Sequence, residues 1–141
     1  MSYDPNLLSM IGLFLAGFIA LKFLPRLLAG VPFVPPEALK LQLDGGADVV
    51  VVDVRGEKEF NHTLGHIPGA LNLPIQDMVG RLEQIKAQLG AYQNVPVYIT
   101  CRTTNRSPHA ARYLRKAGLT NIKVLDGGMV KWNRKGFPVE R

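Results

Sequence analysis

Cysteine is scarce in this sequence: Cys101 is the one among 141 residues. No disulfide can form within the chain, and neither a CxxC redox pair nor a cysteine-based zinc cluster exists. Histidine is scarce too. His62, His66 and His109 stand apart without metal-ligand spacing, so neither a metal site nor any cofactor is expected. No internal repeat is present. Charged residues make up only 20% of the chain against 47% hydrophobic, which excludes a disordered polyelectrolyte. Before the first apolar stretch there is no Lys or Arg, and no small-residue cleavage site follows it, which argues against a cleaved signal peptide.

That apolar stretch, LLSMIGLFLAGFIALKFL from Leu7 to Leu24, carries Lys22 as its one charge. As helix it spans about 27 Å, near the hydrocarbon thickness of a bilayer. Extended to Leu28, it lets Lys22 and Arg26 reach the headgroups. Residues 1–28 are therefore expected to be a retained transmembrane anchor, with membrane contact over residues 7–28. Both cations lie on its C-terminal side. The positive-inside rule then predicts a single-pass protein with its N-terminus outside and the rest in the cytoplasm, where a free thiol stays reduced. Residues 29–36, AGVPFVPP, predict a short, stiff proline-rich linker. A folded domain is expected over residues 34–141.

Within that domain, strand and helix signals alternate. Helices are predicted over Pro36–Leu43, Glu57–Asn61, Asp77–Leu89, Ser107–Ala117 and Met129–Lys135. Strands are predicted over Val49–Val52, Ala70–Leu73, Val97–Thr100 and Ile122–Leu125. The valine run at 49–52 is β-branched throughout, as suits a strand buried on both faces of a parallel sheet. The fold class is therefore α/β, a central parallel sheet covered by helices on both faces and preceded by one transmembrane helix. Sites in such sheets lie outside the carboxyl ends of the strands, and Cys101 follows the strand at 97–100 directly.

Charge is unevenly spread. Residues 101–141 carry ten Lys and Arg against Asp126 and Glu140, whereas residues 27–100 are net acidic. The basic end holds the cysteine, and its field draws small anions toward the thiol. No nucleic-acid-binding motif accompanies the charge, so no nucleic-acid partner is expected. In Cys101-Arg102-Thr103-Thr104-Asn105-Arg106-Ser107-Pro108, Ser107 reads as an N-cap and Pro108 as the first helical residue. A helix N-terminus facing the loop, with Arg102 and Arg106 beside it, favours the thiolate, which is the nucleophile. A persulfide anion on the same sulfur would be held by the same loop amides.

Four stretches, in order, resemble the rhodanese family of sulfurtransferases over about 105 residues. They are Val52-Asp53-Val54-Arg55 with Glu59-Phe60; Gly65-His66-Ile67-Pro68-Gly69-Ala70; the CRTTNRS loop; and Asp126-Gly127-Gly128 with Trp132. The resemblance implies the three-layer rhodanese fold and sulfane-sulfur transfer from a small anionic donor such as thiosulfate. The acceptor would be cyanide, a thiol or a protein thiol, and Cys101 would carry the sulfur as a persulfide. It implies Cys101 as nucleophile, Arg102 and Arg106 as donor-anion contacts, and Thr103, Thr104, Asn105, Arg106 and Ser107 as the amide cradle. There are two departures. Thr104 stands where the family often has glycine, which predicts an altered loop if that position needs a left-handed backbone, or else a hydroxyl pointed at the substrate, and in either case less efficient thiosulfate turnover. Asn61-His62-Thr63-Leu64 lengthens the spacer before Gly65, as a surface insertion or a partner contact.

Asp53, Arg55 and Glu59 read as an ion-pair set bracing the loops, His66 as a structural hydrogen-bonder, and Trp132 as core. His62 and His109 are expected to face solvent. Two other functions compete with the enzyme: a catalytically weak module binding a membrane or sulfur-relay partner, and a Cys-based phosphatase. Four residues separate Cys101 from Arg106, one fewer than in phosphatase loops, and the tighter loop suits sulfur better than phosphate.

Overall fold

A computed structural model describes residues 4–141, which divide into two units, one ending at Gly30 and the other spanning Val31–Arg141. The first is a single helix, α1 (Pro5–Ala29). Asp4 caps it by accepting the Asn6 amide at 2.9 Å, Pro5 opens its first turn, and Gly30 closes it in the left-handed conformation. Leu7, Phe14, Phe18, Leu21 and Leu27 are all exposed, so the helix is apolar all round, and it is long enough to cross a membrane by length and composition.

The second unit is α/β. Five parallel strands, β1 (Phe33–Val34), β2 (Val50–Asp53), β3 (Leu71–Asn72), β4 (Val97–Thr100) and β5 (Ile122–Leu125), lie in the order β1-β5-β4-β2-β3. Between them run α2 (Pro36–Asp44), α3 (Glu57–Phe60), α4 (Ile75–Met78), α5 (Leu82–Leu89), α6 (Ser107–Lys116) and α7 (Gly128–Arg134). The pleat sends alternate residues of β2 to opposite faces. Val51 packs with Tyr98, Leu39 of α2, and Met129 and Trp132 of α7. Val52 packs with Ile99, Ile85 of α5, and Ala110, Ala111 and Leu114 of α6. Each large side chain buried this way contributes roughly 1.5–3 kcal/mol. The continuous valine run thus serves two cores in one three-layer fold.

Four sequence expectations need correction. The linker over 29–36 is shorter, because Phe33–Val34 is a sheet strand: Pro32 O and Val34 O accept the amides of Val124 and Asp126. Prolines suggest a linker, but at a sheet edge a missing N–H costs nothing where the carbonyls make the ladder. The helix expected over 77–89 is two helices. Val79 is extended and Gly80 adopts φ +83°, which reorients the chain between α4 and α5. Ser107 is the first residue of α6 rather than its cap; Arg106 occupies the capping position without a side-chain cap bond. The last helix starts at Gly128, one residue early, for a reason that lies at the site.

Candidate functional site

The chain leaves β2 toward one edge of the sheet to form β3, then returns across β2 to form β4, which leads outward to β5. The order therefore reverses between the adjacent strands β2 and β4, and the loops leaving their carboxyl ends diverge to form a crevice there. Asp53 and Thr100 are register partners at that edge, and the Val54 amide donates to Thr100 O at 3.0 Å. Arg55 and Glu59 follow β2 on one lip, and Cys101 with its loop follows β4 on the other.

On the β2 side, Asp53 and Arg55 form a buried, two-pronged pair. Arg55 Nη2 and Nε donate to the Asp53 carboxylate at 2.7 and 2.9 Å, and the Arg55 amide adds a third bond at 3.1 Å. The rest of the guanidinium reaches outward: Nη2 donates to Gly65 O at 2.6 Å and Nη1 to Glu59 O at 3.2 Å. One buried cation thus fixes both α3 and the loop after it. Asn72 Nδ2 donates to Asp53 O and Arg55 O, tying the same turn to β3. His66 stacks on Phe60 with ring centroids 3.7 Å apart, and its Nδ1 lies 2.9 Å from Phe60 O. A carbonyl only accepts, so Nδ1 carries the proton. The His66 and Glu140 backbones exchange both hydrogen bonds, closing the C-terminus onto this lip.

On the β4 side, the Cys101 side chain is 1% exposed and packs among Val54, Ala110 and Ala111 as part of the core over α6. The loop from 102 to 106 follows it and leads into α6 at Ser107. Arg102, Thr103 and Asn105 are exposed, Thr104 and Arg106 half-buried, and Ser107 buried. No described non-glycine residue has positive φ, so Thr104 sits in an ordinary conformation and the left-handed strain anticipated for it does not arise. Ser107 Oγ is the buried side-chain polar atom with no protein partner among the described residues.

The loop's carbonyls are held from outside. The amides of Met129 and Val130, in the first turn of α7, donate to Cys101 O at 2.9 Å and Arg102 O at 3.0 Å. Among the described residues, the amides of Thr103, Thr104 and Asn105 donate to no backbone carbonyl. Gly128 makes this contact possible. It adopts φ +55°, and a Cβ there would collide with the carbonyl oxygens of Cys101 and Thr103 and with the Arg102 backbone. The Asp126-Gly127-Gly128 motif is therefore a bracket for the cysteine loop, which is why α7 begins where it does. Gly128→Ala is expected to destabilise the protein by about 2–3 kcal/mol through strain and backbone clash, and to impair Cys101 reactivity even at temperatures where the protein stays folded. Chemical denaturation alongside the alkylation rate of Cys101 measures both.

Arg106 joins the two lips. Its Nη1 and Nη2 donate to Glu59 Oε2 and Oε1 at 2.7 and 2.8 Å. Expected as a free anion contact, Arg106 instead spends both terminal nitrogens on this fork, whereas Arg102 has no ion-pair partner among the described residues. The hydrogen bonds from Arg106 hold the Glu59 carboxyl down at about 2, although burial opposes them, and Glu59 in turn pushes Arg106 up. Because the folded value lies below the ordinary 4.5, the pair stabilises fully above pH 4.5 and loses its contribution as pH falls toward 2. The Glu59 side chain is 41% exposed, so screening limits the contribution to under about 1 kcal/mol. Glu59→Gln is expected to cost that amount at pH 7 and nothing near pH 2, as read from urea midpoints across the range.

A cleft of about 380 Å³ opens beside this junction, lined by Arg55, Lys58, Glu59, His62, Thr63, Leu64 and Arg102. Lys58 and the 61–64 segment were not singled out as site residues from sequence. The lengthened spacer before Gly65 is the one sequence signal for 61–64, and Lys58 carries none. His62 and His109 are exposed and Trp132 is buried. Among the described residues no group of His, Cys, Asp and Glu could hold a metal ion.

Comparison with known proteins places this arrangement. The sequence profile of the Rhodanese-like domain matches residues 35–135. An HTH-type transcriptional regulator of Mycobacterium tuberculosis is 38% identical over 66% of this chain and 38% of its own length. The thiosulfate sulfurtransferase GlpE of Pseudomonas putida is 35% identical over 76% of this chain and 88% of its own. Among solved structures, a thiosulfate sulfurtransferase from Pseudomonas aeruginosa superposes with a TM-score of 0.71 at 25% identity, covering 86% of this chain and 22% of that one. The chain thus spans most of GlpE but well under half of the other two proteins.

Proposed function

Because the chain belongs to the rhodanese-like domain family, we propose that it is a sulfurtransferase that moves sulfane sulfur through a Cys101 persulfide. The observation that carries this reading is the loop's polarity: α7 takes the carbonyls of Cys101 and Arg102, while the amides of Thr103 to Asn105, in the loop that follows the cysteine, donate to no backbone carbonyl among the described residues. Amides preset in this way stabilise an anion at no reorganisation cost. α6 begins at Ser107, so its positive end adds to the same field.

The Cys101 thiolate attacks the outer sulfur of thiosulfate. The new S–S bond forms as the donor's S–S bond breaks, and sulfite leaves with the electron pair. The terminal sulfur of the resulting persulfide is itself anionic and takes over the amide cradle, with Ser107 Oγ as a further buried donor. An acceptor thiolate or cyanide then attacks that terminal sulfur and Cys101 leaves as thiolate. Arg102 guides the anionic donor, while Arg106, held by Glu59, fixes the loop. With Cys101 1% exposed, a donor must present a narrow sulfur end rather than a bulky face. Incubating the full chain with thiosulfate and weighing its peptides tests the reading. A gain of one sulfur on the Cys101 peptide is expected, and an unchanged mass would refute it.

The apolar helix α1 supports the further proposal that the protein is a single-pass membrane protein with residues 31–141 in the cytoplasm. Alkaline carbonate washing should leave the chain in the membrane fraction, and protease added to intact cells should spare residues 31–141. Release into the wash, or cleavage from outside, would overturn it.

A further inference from the structure

The cleft beside the cysteine loop is larger than thiosulfate requires. Thiosulfate has five heavy atoms, whereas about 380 Å³ lies in the range that holds small organic ligands. Its charges do not balance. Glu59 is neutralised by Arg106 and Arg55 by Asp53, which leaves Lys58 and Arg102 as lining cations without an ion-pair partner among the described residues. Leu64 supplies an apolar wall, and His62 and Thr63 add polar groups joined at 2.8 Å.

The 61–64 segment is also pinned rather than loose. Arg141 Nη2 donates to Thr63 O at 3.1 Å, Asn133 Nδ2 to Leu64 O at 3.0 Å, and the Gly65 amide to His62 O at 2.8 Å. A wall held by α7, by the C-terminal Arg141 and by its own turn is preorganised, which lowers the ordering cost of binding. The cleft also adjoins the reactive loop, because Arg102 follows Cys101 directly and Glu59 grips Arg106.

We propose that this cleft seats a peptide-sized thiol bearing carboxylates, the acceptor of sulfur from Cys101, with its carboxylates on Lys58 and Arg102. The assignment rests on Cys101 carrying a persulfide. The acceptor's thiolate attacks the terminal sulfur, a new S–S bond forms on the acceptor, the Cys101 S–S bond breaks, and Cys101 keeps the electron pair as thiolate. The acceptor leaves as a persulfide, with no net redox change. The body of the acceptor lies in the cleft while only its sulfur enters the loop, which reconciles a large ligand with a buried cysteine.

Glutathione, its diethyl ester and S-methylglutathione are the probes, used with the full chain in detergent micelles. Glutathione is expected to show a KM about tenfold below that of the ester, and Lys58→Glu to abolish that preference by raising the KM for glutathione alone. Comparing the preference between the two proteins cancels the intrinsic reactivities of the thiols. S-methylglutathione cannot accept sulfur, so titration calorimetry reads binding without turnover; Lys58→Glu should weaken it about tenfold. Persulfide formation on Cys101 with equal handling of acid and ester, or with no S-methylglutathione binding, overturns the acceptor site alone. Absence of the persulfide overturns the sulfurtransferase reading and the acceptor role together.

Discussion

The Cys101→Ser protein is expected to take up no sulfur from thiosulfate and to lose sulfur transfer by at least about a thousandfold, while unfolding at nearly the same denaturant concentration as the wild type. Serine fits the space of cysteine, and the Cys101 side chain makes no hydrogen bond among the described residues that the change would break, so the core over α6 is preserved. What disappears is the nucleophile. A hydroxyl stays protonated under conditions where a thiol ionises, and the site offers no neighbouring base to activate it. The loop amides would surround a neutral oxygen that cannot carry sulfur. Rates with cyanide as acceptor, alongside urea denaturation, separate a chemical loss from a folding one. Residual transfer within tenfold of the wild type would place the reactive group elsewhere.

Asp53→Asn is expected to produce the largest loss of stability, about 3–5 kcal/mol, and to lower the melting temperature by about 10–20 °C. Asparagine has the same shape, but it leaves the Arg55 guanidinium, 1% exposed, without its counter-ion in the core. The pair need not add net stability over an apolar replacement; breaking one half is what costs. Arg55→Met in the Asp53→Asn background should therefore recover part of the loss. It should at the same time loosen the loops, because Glu59 O and Gly65 O would then lose the Arg55 donors that position α3 and the 61–65 segment. Trp132 makes the measurement direct: it is the one tryptophan of the chain, it is buried, and its Nε1 donates to Pro138 O at 2.9 Å. Its fluorescence reports unfolding of the domain without interference from α1.

These two residues also mark the limits of a linear reading. The apolar run before Gly30, the buried strand at β2, β4 ending at Cys101 and the helix following the loop were all legible. Each is set by side-chain periodicity or turn chemistry within a few residues. The same local logic failed where glycine or proline acts in a non-local setting. Pro32 and Pro35 flank a paired edge strand, and Gly80 divides one amphipathic stretch into α4 and α5.

By itself, the sequence determined that this is an α/β domain behind an apolar helix, with its one thiol at the end of a central strand and a basic loop around it. Only the tertiary structure decided that Arg106 belongs to Glu59, 47 positions away, that Gly128 and α7 hold the carbonyls of the cysteine loop, and that Lys58, His62, Thr63 and Leu64 share a cleft with Arg102. The reason is the strand order. β2 and β4 are neighbours although β3 lies between them in the chain, and the meeting of their loops depends on packing across the whole sheet, which no local pattern encodes.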